Sequence, residues 1–331
     1  MQYRTFGKLG WQISEIGFGA WAIGGDMWGH QDDTESIKAL HKALDFGVNF
    51  IDTAQGYGKG HSEELIGRVL KERTDKEIFV ATKVPPVPDT PWPPREDFDV
   101  NISFPSEYII KQCEGSLKRL GRDYIDVYQF HTWATGFNVR DEWFEAITKL
   151  KQDGKIRAAG VSVHDTTPDS VIGALALGKI DEVQVIYNLF EQYPKWNLFP
   201  VCQKLGIAVV VRVPFDEGAL TGKFTPGTTF AEGDVRGHYF RGGNLTSVIK
   251  KVSEINSVKE KRHPGMSMAS YALKFCLSHP AVSTVIPGIR NTRQAEMNTS
   301  VSDNDLLKEE ELSELNQFAW RKDFWREEIA L

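Results

Sequence analysis

Cysteine is scarce: the 331 residues hold three, Cys113, Cys202 and Cys276, far apart and without CxxC spacing. A scattered, odd-numbered set supports neither a disulfide framework nor a zinc cluster, and buried free thiols are the expectation. Long apolar runs are missing as well. No stretch reaches the roughly 20 apolar residues of a membrane span, and the start, MQYRTFGKLGWQISEIG, lacks the uninterrupted apolar segment of a secretory leader. A cytoplasmic chain without membrane contact is expected. Charge of one sign is lacking too: 39 Lys and Arg face 45 Asp and Glu with no long runs of either, which argues against nucleic acid as a partner. No G-x-G-x-x-G opens a helix after a strand-like run, so a Rossmann half is not supported. With no linker and no low-complexity tract, one domain over residues 1–331 is the economical reading.

What is present is alternation. Short runs rich in β-branched residues begin at Ile16, Val48, Ile78, Ile125, Ile156, Glu182, Ile207 and Val282, and most are followed by a segment with helical spacing. In TESIKALHKALDFG, Ile37, Leu40, Ala43 and Leu44 fall on one face; Ile109, Ile110, Cys113 and Leu117 do the same further on. Gly47, Gly121, Gly154 and Gly206 stand where helices should hand over to strands. Eight strand–helix units predict an α/β fold, a closed parallel (β/α)8 TIM barrel, with MQYRTF and WQISEI as an N-terminal β-hairpin plugging its N-terminal mouth. Long loops are expected after the third strand, in the proline-rich stretch Val84 to Pro105 with its exposed-looking Trp92, and after the seventh, from Phe215 to about Gly265. Both follow strand C-termini, the face on which barrels place active sites.

Asp52 closes the second run, Tyr57 follows in a glycine-flanked turn, Lys83 closes the third run and His131 the fourth. A cation at a strand end in a barrel mouth needs an anion to offset its desolvation, and Asp52 is that candidate. An ammonium near Tyr57 favours phenolate and makes the phenol a usable proton donor to a developing alkoxide. His131 is placed to orient a substrate oxygen. Each alone has a plainer reading: Asp52 as an N-cap, Lys83 as a surface strand end, Tyr57 and His131 as packing groups. Convergence of all four on one barrel face favours chemistry.

DTAQGYGKGHSEELIG, from Asp52 to Gly67, resembles the signature of the aldo-keto reductase family, D-T-A-x-x-Y-G-x-G-x-S-E-x-x-x-G, at every fixed position. Further similar stretches follow in order: ATK ending at Lys83, SLKRLGRDYIDVYQFH ending at His131, GKIRAAGVS ending at Ser162, VQVIYN with Gln184, GALTGK, and IPGIRNTRQAEMN. The resemblance implies an NADP-dependent oxidoreductase that passes a hydride between a nicotinamide and an aldehyde, ketone or sugar carbonyl or alcohol, without a metal. It implies Tyr57 as acid or base, Lys83 as its pKa modulator, Asp52 as the anchor of Lys83, and His131 as the group directing the carbonyl. Cofactor contacts are implied at Trp21, Asp52, Ser162, Gln184, Arg212, Pro214, Gly218, Gly288, Arg290, Gln294 and Asn298, with Ser162 and Gln184 holding the carboxamide. Arg290 offers the forked donors an adenosine 2′-phosphate needs, and Arg293 is a weaker candidate, equally readable as a solvated charge at a helix start.

Two positions depart from the family. Val163 stands where Asn is usual, with His164 beside it as a substitute contact, and Arg212 stands where an aromatic commonly stacks on the nicotinamide. Arg212 either lies against the ring or turns away to clamp a pyrophosphate or a strand-end carboxylate. A cofactor-binding regulatory subunit with little turnover is the alternative function. The substrate, the direction of reaction and homo-oligomer formation are not legible.

Overall fold

The computed structural model describes residues 1–25, 27–327 and 329. Tyr3–Phe6 (β1) and Trp11–Ser14 (β2) pair antiparallel as a hairpin. Eight parallel strands follow: Phe18–Gly19 (β3), Phe50–Asp52 (β4), Phe79–Val84 (β5), Ile125–Phe130 (β6), Ile156–Ser162 (β7), Glu182–Ile186 (β8), Ala208–Arg212 (β9) and Thr284–Val285 (β10). Each pairs with its chain neighbour, and bridges from Ile16 to Val285 and from Gly19 to Gly288 join the first to the last. All eight expected strands are present, and the fold is the (β/α)8 barrel. Helices lie between them, among them Asp33–Asp45, His61–Glu72, Ser106–Leu120 and Glu142–Gln152.

Strand side chains alternate between faces, and the inward face can be read from the floor upward. Phe50, Phe79, Ala81, Val127, Ala158, Ala208, Val210 and Ile286 form an apolar cluster with Phe6 and Ile13 of the hairpin. The hairpin therefore seals the N-terminal mouth, with Trp11 stacked on Phe79 at 5.3 Å. Further along the same parity come Asp52, Lys83, Gln129, Ser162, Gln184 and Arg212. The interior is apolar at its floor and polar at its C-terminal rim.

The stretch after β9 is not a loop throughout. It carries Val235–Tyr239 and the 19-residue helix Asn244–Arg262, which buries Val248, Val252 and Ile255. The segment after β5 contains the short helix Val100–Ser103. The three cysteines are buried and free. No described helix is long and apolar enough to cross a membrane.

Candidate active site

Lys83 is fully buried on the inward parity of β5, and its ammonium is surrounded by oxygen. Nζ lies 2.8 and 2.7 Å from the two Asp52 carboxylate oxygens, 2.7 Å from the Thr53 carbonyl and 3.4 Å from the Tyr57 hydroxyl. Asp52 accepts a further bond from Gln184 Nε2 at 2.7 Å. Asp52 caps no helix: the next helical turn begins at Tyr57 with Gly56 as its N-cap. Burial opposes the Lys83 charge, and Asp52 and then Tyr57 more than offset it, holding the ammonium above its ordinary range. Burial likewise raises the Asp52 carboxyl, with Lys83 pulling it back.

Tyr57 reaches this pair because the chain turns sharply. Gly58, Lys59 and Gly60 all have left-handed backbone, with φ of 61, 55 and 99°. At Gly58 a Cβ would overlap the Gly24 carbonyl oxygen, so the turn presses on the loop after β3. That loop supplies Trp21, stacked on the Tyr57 ring at 6.0 Å. Burial raises the phenol's pKa, Lys83 lowers it, and the net shift is upward. The expected lowering by the ammonium is thus present but outweighed, and Tyr57 rests as a phenol.

His131 packs edge-on against Tyr57 at 5.7 Å and against Trp92 at 4.9 Å, which brings the proline-rich segment over the site. Burial first, then Lys83 and Arg212, lower its pKa well below the ordinary range, so the imidazole is neutral and one ring nitrogen carries a proton. Its Nδ1 is buried without a hydrogen-bond partner among the described residues.

Beside this group, Ser162 and Gln184 are register neighbours on β7 and β8. Val163 is buried, and its carbonyl accepts from Arg212 at 3.0 Å; the same guanidinium nitrogen lies 2.5 Å from Asp165. Arg212 Nε is buried and unpartnered among the described residues. His164 folds back, its Nδ1 accepting from the Thr166 amide at 3.1 Å. Pro214 and Gly218 lie in a turn whose Val213, Asp216, Glu217 and Gly218 all have positive φ.

Across the rim, Gly288 is exposed with open space where a side chain would stand. Arg290 Nε donates to Gln31 Oε1 at 2.8 Å, and the Gln294 amide oxygen accepts from the Arg290 backbone at 2.7 Å. Asn298 Nδ2 lies 3.4 Å from the Gly288 carbonyl. Burial and the like charge of Arg236 work against the Arg290 charge, with Asp234 opposing them. An anion set between the two guanidiniums would relieve that repulsion. Arg293 stands exposed at its helix start. Among the described residues no group of three or more His, Cys, Asp or Glu is disposed to hold a metal.

Sequence reasoning missed Asp165, Gln129 and Glu182. The last two were accessible from strand parity: Val127 leads to Gln129, and Gln184 points back to Glu182. Asp165 meets Arg212 across 47 residues, and no local spacing announces that contact.

The sequence model of the aldo/keto reductase family matches residues 15–319. The chain is 32% identical over 315 residues to the aldo-keto reductase YhdN of Bacillus subtilis (strain 168), covering 94% of this chain and 92% of that protein. It is 29% identical over 320 residues to the NADH-specific methylglyoxal reductase of Escherichia coli (strain K12), covering 91% and 95%. The solved glycerol dehydrogenase AKR11B4 of Gluconobacter oxydans superposes with a TM-score of 0.78 at 30% identity, over 96% of this chain and 94% of that one.

Proposed function

This chain belongs to the aldo/keto reductase family, and on that premise we propose that it is an NADP-dependent carbonyl reductase or alcohol dehydrogenase. The observation that carries the reading is Lys83 Nζ, held on both Asp52 oxygens and 3.4 Å from the Tyr57 hydroxyl, with neutral His131 against the same phenol. Bound NADPH supplies the hydride that reduces the carbonyl carbon. Tyr57 donates its proton to the carbonyl oxygen, and Lys83 stabilises the phenolate left behind. Asp52 fixes Lys83 and keeps it charged, and the imidazole N–H of His131 orients the oxygen. In the oxidative direction the same phenolate accepts the alcohol proton.

The site fits a dinucleotide. Gln184 spends its amide nitrogen on Asp52, which leaves its oxygen for a carboxamide N–H, and Ser162 stands beside it. Trp21 and Arg212 would flank the nicotinamide, the turn holding Pro214 and Gly218 would hold the pyrophosphate, and the open space at Gly288 would admit close backbone approach. Arg290, with Gln294 and Asn298 behind it and Arg236 nearby, supports a 2′-phosphate. Substrates are small aldehydes, ketones or sugars. The test is a steady-state screen following reduced-nicotinamide absorbance in both directions with NADPH and NADH. Turnover with a strong NADPH preference is expected; an NADH preference overturns the cofactor assignment, and no turnover with any carbonyl or alcohol overturns the enzyme.

A further inference from the structure

Below Asp52 the barrel holds a carboxyl group that this chemistry does not use. Glu182 follows the inward parity of β8, is fully buried, and has no hydrogen-bond partner on either oxygen among the described residues. A buried carboxylate is strongly disfavoured without a cation of its own. Lys83 is already engaged by Asp52. Asp181, the adjoining acid, is held by Lys151 at 2.6 Å and Lys8 at 3.4 Å, and the nearby Cys202 thiol is neutral, pushed up by burial to about 12. Burial, and then the like charge of Asp52, keep Glu182 far above the carboxylate range against the opposing pull of Lys83 and of the Gln129 amide, so it stands as a neutral acid.

Its surroundings are shaped for it. Gln129, Gly160 and Glu182 are register neighbours across β6, β7 and β8. The space a side chain at position 160 would fill is taken by Glu182: a Cβ there would overlap Oε2 and stand 2.8 Å from Gln129 Cγ. Gln129 Nε2 is itself a buried donor without a partner. The other end of that amide is engaged, since Gln129 Oε1 accepts from Gln184 Nε2 at 3.2 Å, and the same nitrogen donates to Asp52 at 2.7 Å. A donor and an acceptor without other partners thus lie close enough for the Gln129 amide to act on the Glu182 carboxyl, at the foot of a chain that ends on Asp52.

We propose that Glu182 is a positioning residue: its neutral acid receives the Gln129 amide and closes an uncharged column, Glu182–Gln129–Gln184, that holds the Asp52 carboxylate on Lys83. Neutrality is essential to the arrangement, because a second anion at this depth would compete with Asp52 for Lys83 and disturb the cation that Tyr57 depends on. The inference rests on the roles given above to Asp52, Lys83 and Tyr57.

The test compares wild type with Glu182→Ala and Glu182→Gln in the full chain, reading kcat against pH, NADPH affinity and the infrared carboxylic-acid carbonyl band. Glu182→Ala should lower kcat about tenfold, the equivalent of ~1.4 kcal/mol, and displace its pH profile while leaving NADPH affinity unchanged. Glu182→Gln, which keeps an acceptor for Gln129, should rescue both. The infrared difference between wild type and Glu182→Gln at neutral pH should hold a carboxylic-acid band that belongs to Glu182, the band of protonated Glu217 cancelling between the two. A missing band, equal damage in both variants, or a wild-type profile in Glu182→Ala overturns the proposal. If Glu182→Ala does not fold, the band and the Glu182→Gln profile decide. If wild type shows no turnover at all, the reading of the site fails, while the band still reports on Glu182 separately.

Discussion

Arg212 shows how one residue can redirect a neighbourhood. A lone guanidinium about 5 Å from an oxidised nicotinamide would repel it by ~3 kcal/mol at an effective dielectric of about 20. Here the charge is paired with Asp165 and tied to the Val163 carbonyl, so the two positions that depart from the family's residues meet through a side-chain-to-backbone hydrogen bond. Pairing should leave less than ~1 kcal/mol of that repulsion, about fivefold in affinity at most. Arg212→Tyr should therefore move the NADPH to NADP⁺ affinity ratio only modestly toward NADP⁺. Asp165→Asn, which frees the charge, should weaken NADP⁺ binding more than NADPH binding. Fluorescence titration of both cofactors checks this, and an unchanged ratio in Asp165→Asn would show that the guanidinium does not face the nicotinamide. At this scale the convergence of Asp52, Tyr57, Lys83 and His131 was legible because each sits at a strand end or in a glycine turn. Asp165 was not, because its role depends on a partner distant in sequence.

Among the elements, the Tyr57 turn is tightly constrained. Gly58 combines a φ of 61° with a backbone contact to Gly24 that leaves no room for a methyl group. Gly58→Ala should cost about 2–4 kcal/mol from left-handed strain and overpacking together. It should also lower kcat, since the turn carries Tyr57 toward Lys83. Chemical denaturation with a parallel rate assay measures both; wild-type stability would contradict the close packing of these loops. The eight strands and the hairpin were legible because β-branched runs and glycine boundaries mark them. The helix Asn244–Arg262 was passed over because its buried residues, Val248, Val252 and Ile255, are sparse among charged ones. Their spacing of four and three residues was the available signal.

Over the whole molecule, two acids, Glu217 buried and Glu191 half-buried, set a pH dependence. Burial raises Glu191 to about 7, and burial with Asp216 raises Glu217 to about 8. Each binds more protons folded than unfolded above the ordinary carboxylate range, so stability present in acid is lost as pH rises through those values. His279, lowered by burial to about 4, acts in the opposite sense: the unfolded chain takes up its proton first, and stability falls as pH drops from about 6.5 toward 4. The histidine and the acids oppose one another below about 6.5, and the acids act alone above it. The melting temperature should decline from about pH 6.5 to about pH 9, and Glu217→Gln should flatten that decline. A melting temperature that rises over this range would contradict the assignment.

The central claim is that Tyr57, held by Lys83 and Asp52, moves the proton in a nicotinamide-dependent reaction. Its most direct test is Tyr57→Phe, with kcat and NADPH affinity measured on the same preparation. The account predicts a loss of about 10²–10⁴-fold in kcat with cofactor affinity nearly unchanged, because the hydroxyl acts in the transition state. Turnover close to wild type in that variant would contradict it.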